Sequence, residues 1–176
     1  MAATDIDVTD YTAQRFVIPA DAPFADLRQR YEEAVPPADL SAFVDLANRG
    51  GKWEDVLTLT DTEAPYGFLN YGAVVAQPVM GVAGDAAPCV TYLMGNHTIA
   101  QRMFHHNPLA LAYAPLRTAI AADSDDGPAR FSIEQPSKAF ASFDNDRIAA
   151  VGVELDRKVA TLLDHLRLPV PPELTA

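Results

Sequence analysis

Apolar positions along this chain change period several times, and each change marks an element. The clearest stripe is the last one. Ile148, Val151, Gly152, Leu155, Val159, Leu162, Leu163 and Leu166 recur at helical spacing, which predicts a helix over 148–166 with one apolar face. In 129–134, Phe131 and Ile133 alternate with Arg130, Ser132 and Glu134, the period of a strand buried on one side. Apolar runs at 90–94 and 109–121 read as further strands. Between them Ile99, Ala100, Met103 and Phe104 fall at helical spacing behind Asn96, whose side chain is well suited to cap a helix N-terminus. Asn107-Pro108 ends that helix, because proline lacks an N–H and drives the preceding residue out of the α region.

The first half of the chain is more broken. Strand-like residues from Tyr11 run through Phe16, Val17 and Ile18 into Pro19. Asp21 then opens a helix with Phe24, Leu27 and Tyr31 on one face, which Val35-Pro36-Pro37 interrupts. A shorter helix starting at Asp39 or Ser41 turns Leu40, Phe43, Val44 and Ala47 inward and stops at Gly50-Gly51. Trp53 is expected to anchor these helices to the sheet. Val56, Leu57 and Leu59 among threonines suggest a short strand, and a turn at 63–67 leads into an apolar run over 68–75. Small residues at 81–88 link that run to the next. Residues 1–10 are polar and unpatterned, and 169–176 is proline-rich, so both are expected to be tails. Together these elements predict a single α+β domain, an antiparallel sheet with helices packed on one face and 109–121 at or near its centre.

The run GNHTIAQRMFHHNP at 95–108, followed by LALAYAPLR at 109–117, QPS at 135–137 and LDRK at 155–158, resembles the domain-of-unknown-function family DUF302. Gly95-Asn96 and Pro115-Leu116-Arg117, separated by a helix, are its most specific pieces, and the resemblance spans residues 91–166. It implies a TBP-like fold, a curved antiparallel sheet with helices, and no assigned activity. The chain then divides into a tail (1–10), an N-terminal elaboration (11–66), a core (67–168) and a second tail (169–176). His97 stands where many members would be expected to have proline.

Composition narrows the partners. The 176 residues, 49% of them hydrophobic, suffice for one domain with a substantial core. Thirteen Lys and Arg against 24 Asp and Glu give a net charge of -11, so nucleic acid and anionic bilayers would be repelled. A single cysteine, Cys89, excludes an internal disulfide. With no signal-peptide pattern and no apolar run of spanning length, a cytoplasmic protein is expected.

Candidate chemistry is sparse. His97, His105 and His106 point in different directions on a helical wheel and lack the spacing of zinc ligands, so no metal is expected. His105 and His106 suit the last turn of a helix, where cations complement its dipole, and His165 reads as solvated surface. Cys89, at the start of an apolar strand, reads as an inert thiol. The cluster Asp123, Asp125, Asp126 reads as a solvated turn. No nucleophile elbow, phosphate loop or dinucleotide fingerprint occurs, and no cofactor is expected.

Arg117 admits two readings. It forms a structural pair with Glu134 across a hairpin, or it joins Asn96, His97 and Tyr113 as the polar end of an apolar pocket for an anionic group. Two functional classes follow from these readings. One is a domain that binds or transforms a small molecule in a cavity between sheet and helices; the other is an interaction module that works as a homodimer through a sheet edge or an apolar face.

Overall fold

A computed structural model describes residues 6–176; residues 1–5 of the expected N-terminal tail lie outside the described residues, and 6–14 carry no regular element. Among these described residues five strands form one open antiparallel sheet: β1 (Arg15–Pro23), β2 (Leu69–Val75), β3 (Cys89–Gly95), β4 (Leu116–Ala121) and β5 (Pro128–Glu134). Their order is β1-β5-β4-β3-β2, with β4 at the centre. β1 begins at Arg15 and continues beyond Pro19 through an irregular register.

Among the described residues seven α-helices accompany them, the last two after β5: α1 (Phe24–Ala34), α2 (Leu40–Asn48), α3 (Trp53–Glu63), α4 (Gln77–Met80), α5 (His97–Phe104), α6 (Pro136–Ala141) and α7 (Asp146–His165). One sheet face is covered, and alternation decides which. Ile18, Tyr92, Met94, Ile120, Phe131 and Ile133 project into a single core with Leu27 and Tyr31 of α1, Ile99 and Met103 of α5 and the apolar stripe of α7. Tyr31 lies 4.6 Å from Tyr92 and 5.9 Å from Phe131, ring centre to ring centre, and its hydroxyl meets Thr118 Oγ1 at 3.0 Å. That bond satisfies the hydroxyls of two fully buried side chains, which would otherwise be costly to remove from water. The space where a cavity between sheet and helices was expected is therefore packed with side chains.

α7 follows its stripe closely. Asn145 caps it by accepting from the backbone N–H of Arg147 and Ile148, and each fully buried leucine on the stripe contributes about 1.5–3 kcal/mol of hydrophobic stabilisation. Gly152 lets α6 come close: a Cβ there would stand 3.0 Å from both Phe140 Cβ and Ser137 Cα. One turn on, the buried carboxylate of Asp156 accepts from Gln135 Nε2 at 2.8 Å and from the Ser137 backbone N–H at 2.9 Å. The QPS and LDRK segments thus meet in one clamp.

Several expectations are corrected. Only the second half of 109–121 is a strand, since Pro108–Tyr113 winds as a 3-10 helix. Asn107 accepts from the Leu109 N–H and Pro108 sits in the first turn, so an apolar run without alternation coils there, burying Ala110 and leaving Leu109 exposed. The threonine-rich run 56–60 is helical, within α3. Asp55 takes the Lys52 N–H, and Thr58, Thr60 and Thr62 return their hydroxyls to carbonyls four residues earlier, which satisfies them within a helix. Trp53 does not anchor the core, because the first turn of α3 leaves it 42% exposed. The C-terminal segment is not a free tail: Pro172–Leu174 forms a 3-10 turn that buries Leu174 completely. No helix of the described residues is long and apolar enough to cross a membrane.

Candidate functional site

Alternation that sends Tyr92, Thr118 and Ile133 inward sends Leu93, Arg117 and Glu134 to the uncovered face of the sheet. There a groove of about 710 Å³ lies across β3, β4, β5 and the start of β1, walled by the 111–115 segment and by Pro136 and Ala139 of α6. Tyr113 stands in the wall, edge-on to Phe140 and Phe143 with ring centres 6.5 and 5.8 Å away. Leu93, Leu111 and Pro115 supply apolar surface.

The polar groups of the groove form a row. Arg15 is directly opposite Glu134 on the β1–β5 ladder, and extending the β4–β5 pairing one step beyond Thr118 and Ile133 places Arg117 on the other side of Glu134. Neither arginine closes an ion pair with Glu134 within 4.0 Å among the described residues, where the pairs formed are Arg28–Glu32, Arg102–Glu154 and Arg130–Asp123. Arg15 and Arg117 are exposed, whereas Glu134 is half-buried and its Oε1 has no hydrogen-bond partner among the described residues. Tyr11 lies edge-on to Tyr113 at 5.7 Å; the neighbouring Tyr113 hydroxyl, burial, and the charge and hydrogen-bonding proximity of Glu134 together push its own hydroxyl up to about 12.

Tyr113 and Arg117 therefore share a site, and Asn96 and His97 do not line it. Asn96 caps α5, accepting from the N–H of Thr98 and Ile99 while donating to the Gly67 carbonyl at 2.9 Å. His97 is enclosed by α2, α3 and β2. Its Nε2 lies 2.8 Å from Thr60 Oγ1, and that hydroxyl already donates to the Val56 carbonyl, so the ring must be the donor at Nε2. Nδ1 then accepts from the Tyr71 hydroxyl, whose oxygen also accepts the His97 backbone N–H at 3.1 Å. Phe43 closes over the ring edge-on at 4.1 Å. The imidazole is held neutral, its pKa lowered by burial, and burial pushes Tyr71 up to about 12.

The remaining candidates are scattered. His105 and His106 are exposed, and His165 stacks on Tyr66 at 3.9 Å. Among the described residues no three His, Cys, Asp or Glu side chains gather as metal ligands would. Arg15 and Leu93 escaped sequence reasoning because their place in the groove depends on strand register, which no local pattern carries. Glu134 was visible only as a partner for Arg117.

Gly95 and Pro115 also meet: a Cβ at Gly95 would lie 3.2 Å from Pro115 Cβ, so the corner after β3 packs against the entry to β4. Residues 78–166 match the family described as Domain of unknown function DUF302. The chain belongs to the DUF302 family. It is similar to a solved structure, an uncharacterized conserved DUF302 protein from Bacillus stearothermophilus, with 14% identity, a TM-score of 0.61, and coverage of 87% of this chain and 98% of that one. At that identity the likeness is one of fold. No curated protein matches. Within this DUF302 domain, the matched segment holds Leu93, Tyr113, Arg117 and Glu134, while Arg15 enters the groove from outside it.

Proposed function

We propose that the groove on the uncovered sheet face binds a small, mostly apolar molecule through an anionic group held by Arg117 and Arg15. The observation that carries this reading is a pair of arginines, on the strands either side of Glu134, that close no ion pair among the described residues. In a chain of net charge -11, cations are few, and two at one apolar groove form a local site for an anion. Its volume of about 710 Å³ is within the range of roughly 300–1,000 Å³ typical of small-molecule pockets. Tyr113 shapes the wall. Asn96 and His97 act at a distance, by fixing the β3–α5 corner beside Pro115.

The test is a thermal-shift screen of small carboxylates, phosphates and sulfonates on the natural protein and on Arg117→Met, which keeps much of the apolar stem. Ligands that stabilise the first and not the second support the reading. Equal stabilisation of both would remove Arg117 from the site.

A second reading, a homodimeric interaction module, is favoured by a different surface. Val74 and Val75 on the edge strand β2, with Val79, Met80 and Val82 beyond it, are all exposed, and Val82 is 90% so. Sedimentation of the natural protein and of Val74→Lys distinguishes it: a dimer lost in the variant supports a contact between two copies at this edge, and a monomer throughout excludes it.

A further inference from the structure

We infer that the ligand of this groove is a zwitterion of the amino-acid class, its anion on Arg117 and Arg15 and its ammonium group on Glu134. The inference rests on the anion-binding reading above and specifies what else the ligand must carry.

Glu134 is the reason. Side chains directly opposite on antiparallel strands stand about 5 Å apart at Cβ, so Glu134 springs from the sheet between two arginines with which it closes no ion pair among the described residues. A ligand with only an anionic group would meet that carboxylate as well as the arginines, and would leave Glu134 Oε1 without a cationic donor, with only the neutral Tyr11 hydroxyl beside the carboxylate. A ligand with only a cationic group would meet two arginines. A molecule with both charges a few bonds apart satisfies the row, and an ammonium supplies the charge-assisted hydrogen bond that the orphaned oxygen lacks. Leu93, Leu111 and Pro115 then receive an apolar body.

Three probes with one body test this: phenylalanine, 3-phenylpropionate, which lacks the ammonium, and 2-phenylethylamine, which lacks the carboxylate. Calorimetric titration of the natural protein is expected to give phenylalanine at least tenfold tighter binding than either of the others. Glu134→Gln should bring phenylalanine and 3-phenylpropionate within about twofold of each other, and Arg117→Met should lose both. Circular dichroism confirms that each variant is folded; Glu134→Ala replaces Glu134→Gln if that one is not.

If 3-phenylpropionate binds the natural protein as well as phenylalanine does, the ammonium inference is overturned while the anion groove stands. A preference for phenylalanine that survives in the Glu134 variant overturns the role of Glu134 in the same way. Tightest binding of 2-phenylethylamine, or no binding of any probe, overturns both this inference and the anion-binding reading.

Discussion

Removing the carboxylate of Asp156 should cost the fold more than its position near the middle of a helix suggests. The side chain is 4% exposed and serves two donors on the segment entering α6, Gln135 Nε2 at 2.8 Å and the Ser137 N–H at 2.9 Å. Hydrogen bonds to a charged acceptor contribute about 1.5–3 kcal/mol each, and donors left buried without a partner carry a desolvation cost of similar size. Relief from burying a carboxylate offsets part of the loss, so Asp156→Ala is expected to destabilise by about 3 kcal/mol. For a domain of this length each kcal/mol lowers the melting temperature by about 2–4 °C, which makes the expected drop about 6–12 °C. Asp156→Asn should fall between, because one oxygen still accepts while its amide faces that of Gln135. Urea unfolding followed by circular dichroism measures the difference as a change in midpoint at constant slope. A change under about 0.5 kcal/mol, the size expected of an ordinary surface substitution, would refute the clamp.

Three further outcomes are expected. Leu155→Asp puts an unpaired charge into the core beneath the sheet and should unfold the domain, at a cost of several kcal/mol; an unchanged melting temperature would show that α7 does not pack as described. Gly152→Ala should destabilise by about 1–3 kcal/mol despite alanine's better helix propensity, because its methyl would press on the Ser137 backbone; stabilisation in urea melts would contradict the close approach of α6. Because burial lowers the folded pKa of His97, its contribution is fully present above the unfolded value of about 6.5 and is lost as pH falls through the folded value. His97→Gln should therefore flatten the loss of stability on acidification below about pH 6.5 relative to the natural protein; identical pH profiles would place His97 outside the buried network.

Legibility in the sequence tracked how local each determinant is. The helix of α7, the cap at Asn96 and the strand 129–134 depend on neighbours a few residues away, so period and capping chemistry sufficed. Pro108–Tyr113 misled because an apolar run with no polar alternation has no period to separate strand from 3-10 turn. The helix α3 misled because a five-residue alternation with threonines also fits a helix whose hydroxyls bond back to its own carbonyls. Leu174 reaches the core through contacts that a proline-rich stretch does not announce.

The site divides along the same line. Tyr113 and Arg117 were legible because their local segment carries them both. Arg15 was hidden because only the β1–β5 register sets it beside Glu134, more than a hundred residues away. His97 looked like a pocket residue from its place beside Asn96, and only the α2–α3 helices packed around it turn it into a satisfied buried group.

The central claim, that the uncovered sheet face binds an anionic small molecule, is tested most directly by amide chemical-shift mapping during titration with 3-phenylpropionate. The account predicts saturable shifts concentrated at Leu93, Tyr113, Arg117 and Glu134, with His97 and the exposed face of α7 unmoved. Shifts centred on the β2 edge, or spread without focus over the surface, would contradict it.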